Sequence, residues 1–384
     1  MTAELTVAPL AELRRRRSAK WRTFPDDVLP LFVAETDYDL APPVDQALRE
    51  AIARSDTGYS AVDAELGKAY AGFASRRWGW EVDPAQVTGV TDVGVGVVEL
   101  LRVLARPGDT VAISPPVYPP FFSWVPEAGA RLLEVPLARD DSGYRLDLGA
   151  LEAAFATHPA AYLLCNPQNP VGRVHTAAEL AELVRLARRY RVPIISDEIH
   201  APVVLPGAAY TPMLTVPGAA GTAVSVVSAS KAFNLAGLKC AAIVTASPGM
   251  AQAVGRCPAE VRERTGHLGV IASVAAFTDG DPWLATLIET LAARRAQLGD
   301  LLAARLPALR WTPPEATYLA WLDCSALGRD EEPRELFLAE GRVAVEPGTR
   351  FGARGPGYVR LNFATSPEIL DEATARMAAA VRGV

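Results

Sequence analysis

The chain is poor in the residues that build metal centres and disulfide frameworks. Its 384 residues include only four histidines and four cysteines, and neither type shows the close spacing typical of metal ligands or disulfide scaffolds. We therefore predict no metal site. The cysteines are expected to be small, buried side chains in a reducing cytoplasm: Cys165, Cys240, Cys257 and Cys324.

Long apolar runs and an excess of positive charge are also missing. No stretch approaches the roughly 20 apolar residues that cross a bilayer, and the first residues lack the basic-then-apolar pattern of a signal peptide. The net charge of −6 argues against a nucleic-acid partner. The basic cluster Arg14–Arg17 is compatible with an anionic partner but is more typical of a solvated arm. We expect a cytoplasmic protein with no nucleic-acid and no membrane partner.

What the chain has is an alternation of short apolar segments and helical segments from Gln86 to about Thr245. This alternation predicts an α/β fold, with a mostly parallel sheet flanked by helices. The expected strands are Val87–Val90, Asp109–Ser114, Ala160–Cys165, Pro193–Ser196, Ala223–Ser228 and Cys240–Thr245, and the expected helices are Val44–Ala53, Gly96–Leu104 and Ala177–Tyr190.

The last third of the chain has a different pattern, which predicts a smaller α+β domain. We expect a long helix over Pro282–Leu302, a helix over Pro333–Glu340, and strands at Thr317–Leu322 and Tyr358–Phe363. The predicted organisation is an N-terminal arm (1–40) that joins the small domain, a large domain (41–280) and the small C-terminal domain (281–384).

Three of the predicted strands end in polar groups suited to a pyridine cofactor. Asn169 follows one strand, Asp197 the next, and Lys231 the one after that. Because ligands of such sheets bind at the carboxyl ends of the strands, we expect these three side chains to lie together. A lone lysine would most often be a solvated surface residue, but the ordered set favours a functional site.

Pyridoxal phosphate (PLP) would use each member of this set. Lys231 is the candidate Schiff-base lysine, and Asp197 is the candidate partner of the protonated pyridine nitrogen. Asn169 could donate to the phenolate oxygen, and Tyr118 in Pro115–Pro120 could stack on the ring. Taken alone, Tyr118 would be interpreted as a core residue.

A phosphate cup and a carboxylate site complete the prediction. The main-chain N–H groups of Val93 and Gly94 precede a helix and would face an anion. An inward Asp92 side chain would repel that anion. Arg360 lies in an alternating strand and suits a substrate carboxylate, although its spacing fits a surface salt bridge equally well. The remaining candidates for the cup are Ser228, Ser230 and Lys239.

Together these motifs resemble those of fold-type I PLP enzymes of the aminotransferase superfamily. The resemblance is carried by Asn166–Gly172, Ser196–Glu198, Ser228–Lys231 and Tyr358–Asn362. The chain is similar, more narrowly, to the cystathionine β-lyase (C–S lyase) branch typified by MalY and PatB. The segments that carry this narrower resemblance are Ser18–Trp21, Leu29–Ala34, Thr57–Ser60, Asp197–His200, Tyr210–Met213 and Gly348–Gly352.

The resemblance implies PLP fold type I and a homodimer with shared active sites, in which Tyr59 reaches the phosphate of the neighbouring subunit. It places Lys231, Asp197 and Tyr118 in catalysis, and Arg360, Asn169 and Tyr59 at the substrate. The implied cofactor-binding set is Lys231, Asp197, Asn169, Tyr118, Val93, Gly94, Ser228, Ser230, Lys239, Tyr59 and His200.

One segment departs from the branch pattern. The branch usually carries Ala-Asp-Met-Asp-Phe, whereas this chain has Ala34-Glu-Thr-Asp-Tyr38. The segment is expected near the substrate entrance, so the departure leaves the PLP prediction unchanged but leaves the substrate open.

The function predicted from the sequence is a PLP-dependent C–S β-lyase that cleaves cystathionine or an L-cysteine S-conjugate to a thiol, pyruvate and ammonia. Three alternatives remain at this point. They are an aminotransferase, a specialised biosynthetic PLP enzyme acting on a large cysteine S-conjugate by elimination, decarboxylation or oxidative deamination, and a PLP-binding regulatory protein. The complete set of catalytic residues argues against regulation alone.

Overall fold

A computed structural model describes residues 5–60, 64–140, 143–328 and 332–383. Its main element is a seven-stranded sheet with strand order β2-β10-β9-β8-β7-β3-β4. Only β10 runs antiparallel to its neighbours, so the predicted mostly parallel sheet is confirmed. The strands are β1 (Leu29–Pro30), β2 (Val87–Val90), β3 (Thr110–Ile113), β4 (Arg131–Glu134), β5 (Ala138–Asp140), β6 (Gly143–Arg145), β7 (Ala161–Cys165), β8 (Ile194–Asp197), β9 (Ala223–Val227), β10 (Ala241–Val244), β11 (Arg310–Trp311), β12 (Leu319–Asp323), β13 (Val343–Ala344), β14 (Glu346–Pro347) and β15 (Tyr358–Asn362).

Helices connect and cover these strands. The α-helices are α1 (Leu10–Leu13), α2 (Ala19–Arg22), α3 (Pro42–Ala53), α4 (Ala64–Trp78), α5 (Val93–Leu104), α6 (Phe121–Glu127), α7 (Leu148–Phe155), α8 (Ala177–Tyr190), α9 (Pro248–Val254), α10 (Glu260–Glu263), α11 (His267–Asp279), α12 (Asp281–Arg305), α13 (Pro333–Ala339) and α14 (Pro367–Arg382). Short 3₁₀ turns lie at Pro84–Gln86, Ala201–Val203, Met213–Thr215, Ala236–Leu238, Ser325–Leu327 and Gly348–Phe351.

The central strands are apolar throughout because both faces of the sheet are buried. Alternate side chains of β7 enter different cores: Tyr162 and Leu164 pack in one apolar cluster, and Leu163 and Cys165 in the other. Covering both faces leaves the edge where the strands end as the place where polar side chains can meet.

Helix α5 begins at Val93, three residues earlier than predicted. The side chain of Asp92 explains this start, because its Oδ1 accepts a hydrogen bond from the Val95 N–H at 2.8 Å and caps the helix. Val93 and Gly94 therefore occupy the first helical turn, where main-chain N–H groups have no intrahelical partner.

The last third of the chain forms a second, antiparallel sheet with strand order β11-β12-β15-β14. Strand β1 of the N-terminal segment pairs in parallel with β13, with Leu29 opposite Val343. The domain boundaries predicted near residues 40 and 280 stay predictions. Among the described residues, no helix is long and apolar enough to span a bilayer.

The segment that follows β1 is held by a buried ion pair. Lys20 and Asp37 lie 2.8 Å apart, with both side chains almost fully buried, and the indole N–H of Trp21 donates to Asp37 at 3.2 Å. These contacts involve residues of the predicted N-terminal signature Ser18–Trp21, and they fix the backbone of residues 32–37 beside the ends of the central strands.

Candidate active site

A cavity of about 320 Å³ lies at the carboxyl ends of the adjacent strands β7, β8 and β9. It contains ten of the predicted site residues, and two further candidates, Ser228 and Tyr59, do not line it. The ten residues are Val93, Gly94, Tyr118, Asn169, Asp197, His200, Ser230, Lys231, Lys239 and Arg360.

Lys231 lies past the end of β9, and its Nζ donates to the carbonyl oxygen of Ala34 at 2.9 Å. Burial, together with the nearby charge of Arg360, lowers the pKa of Lys231 to about 8. A lysine with this pKa has a substantial neutral fraction near physiological pH, which both a nucleophile and a proton acceptor require.

Asp197 is the last residue of β8 rather than the first residue after it, and it is buried. Its Oδ1 accepts a hydrogen bond from the Ile199 N–H at 3.1 Å. Burial raises the pKa of Asp197 to about 7, and the charge of Glu198 adds to the rise. A cation held beside this carboxylate would lower its pKa, so the site suits a positively charged ring nitrogen.

Asn169 and Arg360 are joined across the cavity. Nη1 of Arg360 donates to Oδ1 of Asn169 at 3.1 Å, and Nη2 donates to the Phe32 carbonyl at 2.9 Å. Because the Asn169 oxygen is used in this way, its amide nitrogen is left to donate into the cavity. Arg360 is 4% exposed, so the alternative of a surface salt bridge was wrong.

An aromatic wall closes one side of the cavity. The ring of Tyr118 meets Trp124 edge-on, with 5.8 Å between centroids, and burial raises the pKa of the Tyr118 hydroxyl. A Cβ at Gly94 would lie 2.9 Å from the Trp124 ring, so only glycine brings the first turn of α5 this close. The wall could therefore receive a flat ring beside the helix N-terminus.

The predicted phosphate cup is present in part. Lys239 and Asp92 form an ion pair at 3.0 Å, so the Asp92 side chain both caps α5 and pairs with the cup's cation. Ser230 lines the cavity, whereas the hydroxyl of Ser228 donates to the Cys240 carbonyl at 2.7 Å. Ser228 also bonds the Ser230 hydroxyl at 2.6 Å, so it orients Ser230 rather than facing the cavity.

Of the predicted cofactor-binding residues, His200 is buried at the cavity, whereas Tyr59 is exposed and lies away from it. His200 is buried at the cavity wall, and burial with the charges of Lys231 and Arg360 holds its pKa well below its ordinary value. Its Nδ1 has no hydrogen-bond partner among the described residues. Tyr59 is 99% exposed and lies outside the cavity of its own chain.

The sequence prediction missed several groups that form this site. Cys165 and Trp124 line the cavity, and the Ala34 carbonyl accepts from both Lys231 and the Tyr318 hydroxyl. Cys165 directly precedes the Asn166 motif, and its position at a strand end is a signal that could have found it. A main-chain carbonyl such as that of Ala34 has no residue signature.

Comparison with known proteins shows the family. The aminotransferase class I and II family matches residues 26–377, and the chain belongs to it. A Mycobacterium leprae protein provisionally named cystathionine beta-lyase is 48% identical, over 97% of this chain and 96% of the relative. Cystathionine beta-lyase PatB of Bacillus subtilis is 33% identical over 92% and 93%.

A solved structure agrees with these relatives. The crystal structure of a provisionally assigned PLP-dependent β-cystathionase from Corynebacterium diphtheriae has a TM-score of 0.93 and 34% identity, covering 98% of this chain and 99% of that one. The predicted resemblance to the cystathionine β-lyase branch and the predicted PLP fold type I are both confirmed.

Proposed function

We propose that this protein is a PLP-dependent C–S β-lyase that converts cystathionine or an L-cysteine S-conjugate to a thiol, pyruvate and ammonia. The observation that carries the proposal is the convergence of Lys231, Asp197, Asn169 and Arg360 on one cavity. Relatives named cystathionine beta-lyase match nearly the whole chain and support this reaction over others of the family.

The cavity fits the proposed cofactor at each of its polar ends. Lys231 would bind the aldehyde carbon. The buried carboxylate of Asp197 would pair with the protonated ring nitrogen, a cation that would lower the raised pKa of Asp197 and stabilise its ionised form. Asn169 would donate to the phenolic oxygen, and Tyr118 would contact the ring face. The phosphate would be held by the first turn of α5 and by Ser230 and Lys239.

PLP, when bound, supplies an electron sink for the carbanion formed at the substrate Cα. Arg360 would hold the substrate carboxylate with the guanidinium N–H groups that do not donate to Asn169 or Phe32. The hydrogen bond to Asn169 fixes the orientation of the guanidinium. The amine of the substrate would take the place of Lys231 on the aldehyde carbon. The freed Nζ of Lys231, which the Ala34 carbonyl orients, would then remove the Cα proton. The carbon–sulfur bond then breaks readily because a thiolate is a stable leaving anion near neutral pH.

We further propose that the active form is a homodimer with shared sites, in which Tyr59 contributes to the neighbouring subunit. The full exposure of Tyr59 in a single chain supports this, because a tyrosine is rarely left wholly in solvent.

The decisive experiment measures three products together. Purified protein is incubated with cystathionine and with several cysteine S-conjugates, and free thiol, pyruvate and amino-transfer products are followed. We expect many turnovers of thiol and pyruvate without an added keto acid. Turnover that stops after one equivalent and restarts on addition of a keto acid would instead identify an aminotransferase.

A further inference from the structure

A larger groove opens directly outside the catalytic cavity. It measures about 1040 Å³, compared with about 320 Å³ for the cavity, and the two share Ala236 and Lys239 in their walls. The backbone also passes from one to the other, because Val33 and Ala34 line the cavity while Glu35 and Thr36 line the groove. We call this space the outer groove; the residues that matter below are Trp21, Glu35, Tyr38, Leu40, Leu48 and Lys239.

Almost all charged side chains of the outer groove are neutralised by a partner. Arg16 pairs with Asp39 at 3.6 Å, Arg49 pairs with Asp45 at 2.7 Å, and Lys239 pairs with Asp92. The exception is Glu35. In the part of the chain that the structure describes, no cation or hydrogen-bond donor contacts its carboxylate.

The backbone of Glu35 is nevertheless fixed. Its carbonyl oxygen accepts hydrogen bonds from Nδ2 of Asn362 at 2.6 Å and from Nζ of Lys20 at 3.3 Å. The residue is half-buried, and its charge opposes the fall in the pKa of Lys231, so the carboxylate lies within electrostatic range of the catalytic amine. A positioned, half-desolvated carboxylate without a partner gains free energy when it meets a cation.

Part of the lining of the outer groove forms an apolar floor. Trp21 and Tyr38 are buried there, and Leu40 and Leu48 extend the surface, with Leu40 38% exposed. Such a floor favours a hydrocarbon chain, and aromatic side chains tolerate a nearby cationic nitrogen. In a single chain the groove is larger than the alkyl stem of an amino acid needs.

We propose that Glu35 selects cysteine S-conjugates whose sulfur substituent ends in a cationic nitrogen. This inference rests on the proposed lyase function. The amino-acid end of the substrate lies in the cavity with its carboxylate on Arg360, and the substituent on sulfur passes Ala34 into the outer groove. Glu35 occupies the position of the first aspartate in the branch pattern Ala-Asp-Met-Asp-Phe, so this chain keeps a carboxylate there on a side chain that is one methylene longer.

The test compares two isosteric substrates. S-(3-aminopropyl)-L-cysteine and S-butyl-L-cysteine have the same length and differ in whether the terminal group is an ammonium or a methyl. We expect holoenzyme to prefer the ammonium substrate by about fivefold or more in kcat/KM, as judged by thiol and pyruvate release. Glu35→Gln should bring this ratio to within about twofold of one.

The matched control is Asp45→Asn. It also removes one negative charge from the groove, but from a carboxylate already paired with Arg49, and the substrate ratio should stay at its wild-type value. Equal falls in the ratio for both variants would mean that a diffuse field acts, which overturns the role of Glu35. A wild-type ratio near one, with thiol and pyruvate from both substrates, overturns the inference and leaves the lyase function standing. If holoprotein that retains PLP absorbance releases no thiol or pyruvate from these two substrates or from cystathionine, both the inference and the lyase function are overturned.

Discussion

The two sides of the catalytic cavity are built in different ways. On one side, Asn169, Asp197 and Lys231 present side chains from the ends of three adjacent strands. On the other side, the backbone carbonyls of Phe32 and Ala34 accept hydrogen bonds from Arg360 and Lys231. We call the first the strand-end side and the second the arm side. The functional groups of the strand-end side depend on residue type, whereas those of the arm side depend on the path of the backbone.

Loss of Lys231 is expected to have the largest effect on the strand-end side. Lys231→Ala should reduce kcat for thiol release by at least about a thousandfold, because it removes the proposed general base. Borohydride reduction of wild-type holoprotein should fix PLP to Lys231, and peptide mass spectrometry locates the attachment.

Of the three other lysines, Lys20 lies in the buried ion pair with Asp37 and Lys239 in the phosphate cup, so Lys68 is the suitable control. Lys68 is exposed on α4, so Lys68→Ala should retain both activity and the reducible attachment. If Lys231→Ala protein still formed a reducible attachment at another lysine, the central assignment would be wrong.

Arg360 tests the junction of the two sides, because it contacts Asn169 and the Phe32 carbonyl. Removing a buried charge-assisted contact costs about 2–5 kcal/mol, so Arg360→Ala should raise KM by roughly thirtyfold or more. PLP content, read from visible absorbance, should fall much less.

Arg350 is a suitable comparison for this substitution. It is 60% exposed and pairs with Glu346, so Arg350→Ala should change KM by less than about threefold. A fall in PLP content with unchanged substrate affinity in Arg360→Ala would remove Arg360 from the substrate site.

The difference between the two sides also explains what could be predicted from the sequence. The alternating pattern gave the order of strands and helices, and α8 has the predicted bounds, Ala177–Tyr190. Lys231, Asp197 and Asn169 were identifiable because each lies at or just past the end of a strand, in a recognisable motif. The contact between Ala34 and Lys231 joins residues 197 positions apart and uses a main-chain carbonyl, which every residue has. No sequence pattern therefore predicts it.

Spacing alone was equally limited for Arg360 and Ser228. The alternation of β15 could not show that both faces of this strand are buried, as the full burial of Val359–Asn362 shows them to be. The hydroxyl of Ser228 is used by the Cys240 carbonyl, a contact that depends on how the chain returns towards β10.

Asp197 provides a stability test of the strand-end side. Its pKa in the folded chain is raised from 3.8 to about 7, so the folded state favours the protonated form. This stabilising preference is present at low pH and is lost as the pH rises towards 7. PLP-free wild-type protein should therefore lose stability over this window. Asp197→Asn, which cannot ionise, should lose less.

Urea unfolding of the two PLP-free proteins measures the effect. The variant's advantage in unfolding free energy should be larger at pH 8 than at pH 5, by roughly 2 kcal/mol. The advantage should shrink when PLP is bound, because a ring cation stabilises the ionised carboxylate. A difference that does not vary with pH in PLP-free protein would show that Asp197 is already ionised without a cationic partner.

The smallest expected effect on activity concerns Tyr59, which is proposed to act in the active site of the neighbouring subunit. Tyr59 is exposed and outside its own cavity, and the proposal places it at the neighbouring subunit's phosphate. Tyr59→Phe and Lys231→Ala proteins are each expected to be impaired, and they are mixed under conditions of proven subunit exchange.

If each site takes Lys231 from one chain and Tyr59 from the other, every mixed dimer has one intact site and one doubly damaged site. Random exchange of equal amounts then makes about a quarter of all sites intact, so activity should rise above the mean of the two unmixed proteins. If Tyr59 serves the site of its own chain, each mixed dimer carries one site of each damaged kind, and activity stays at that mean.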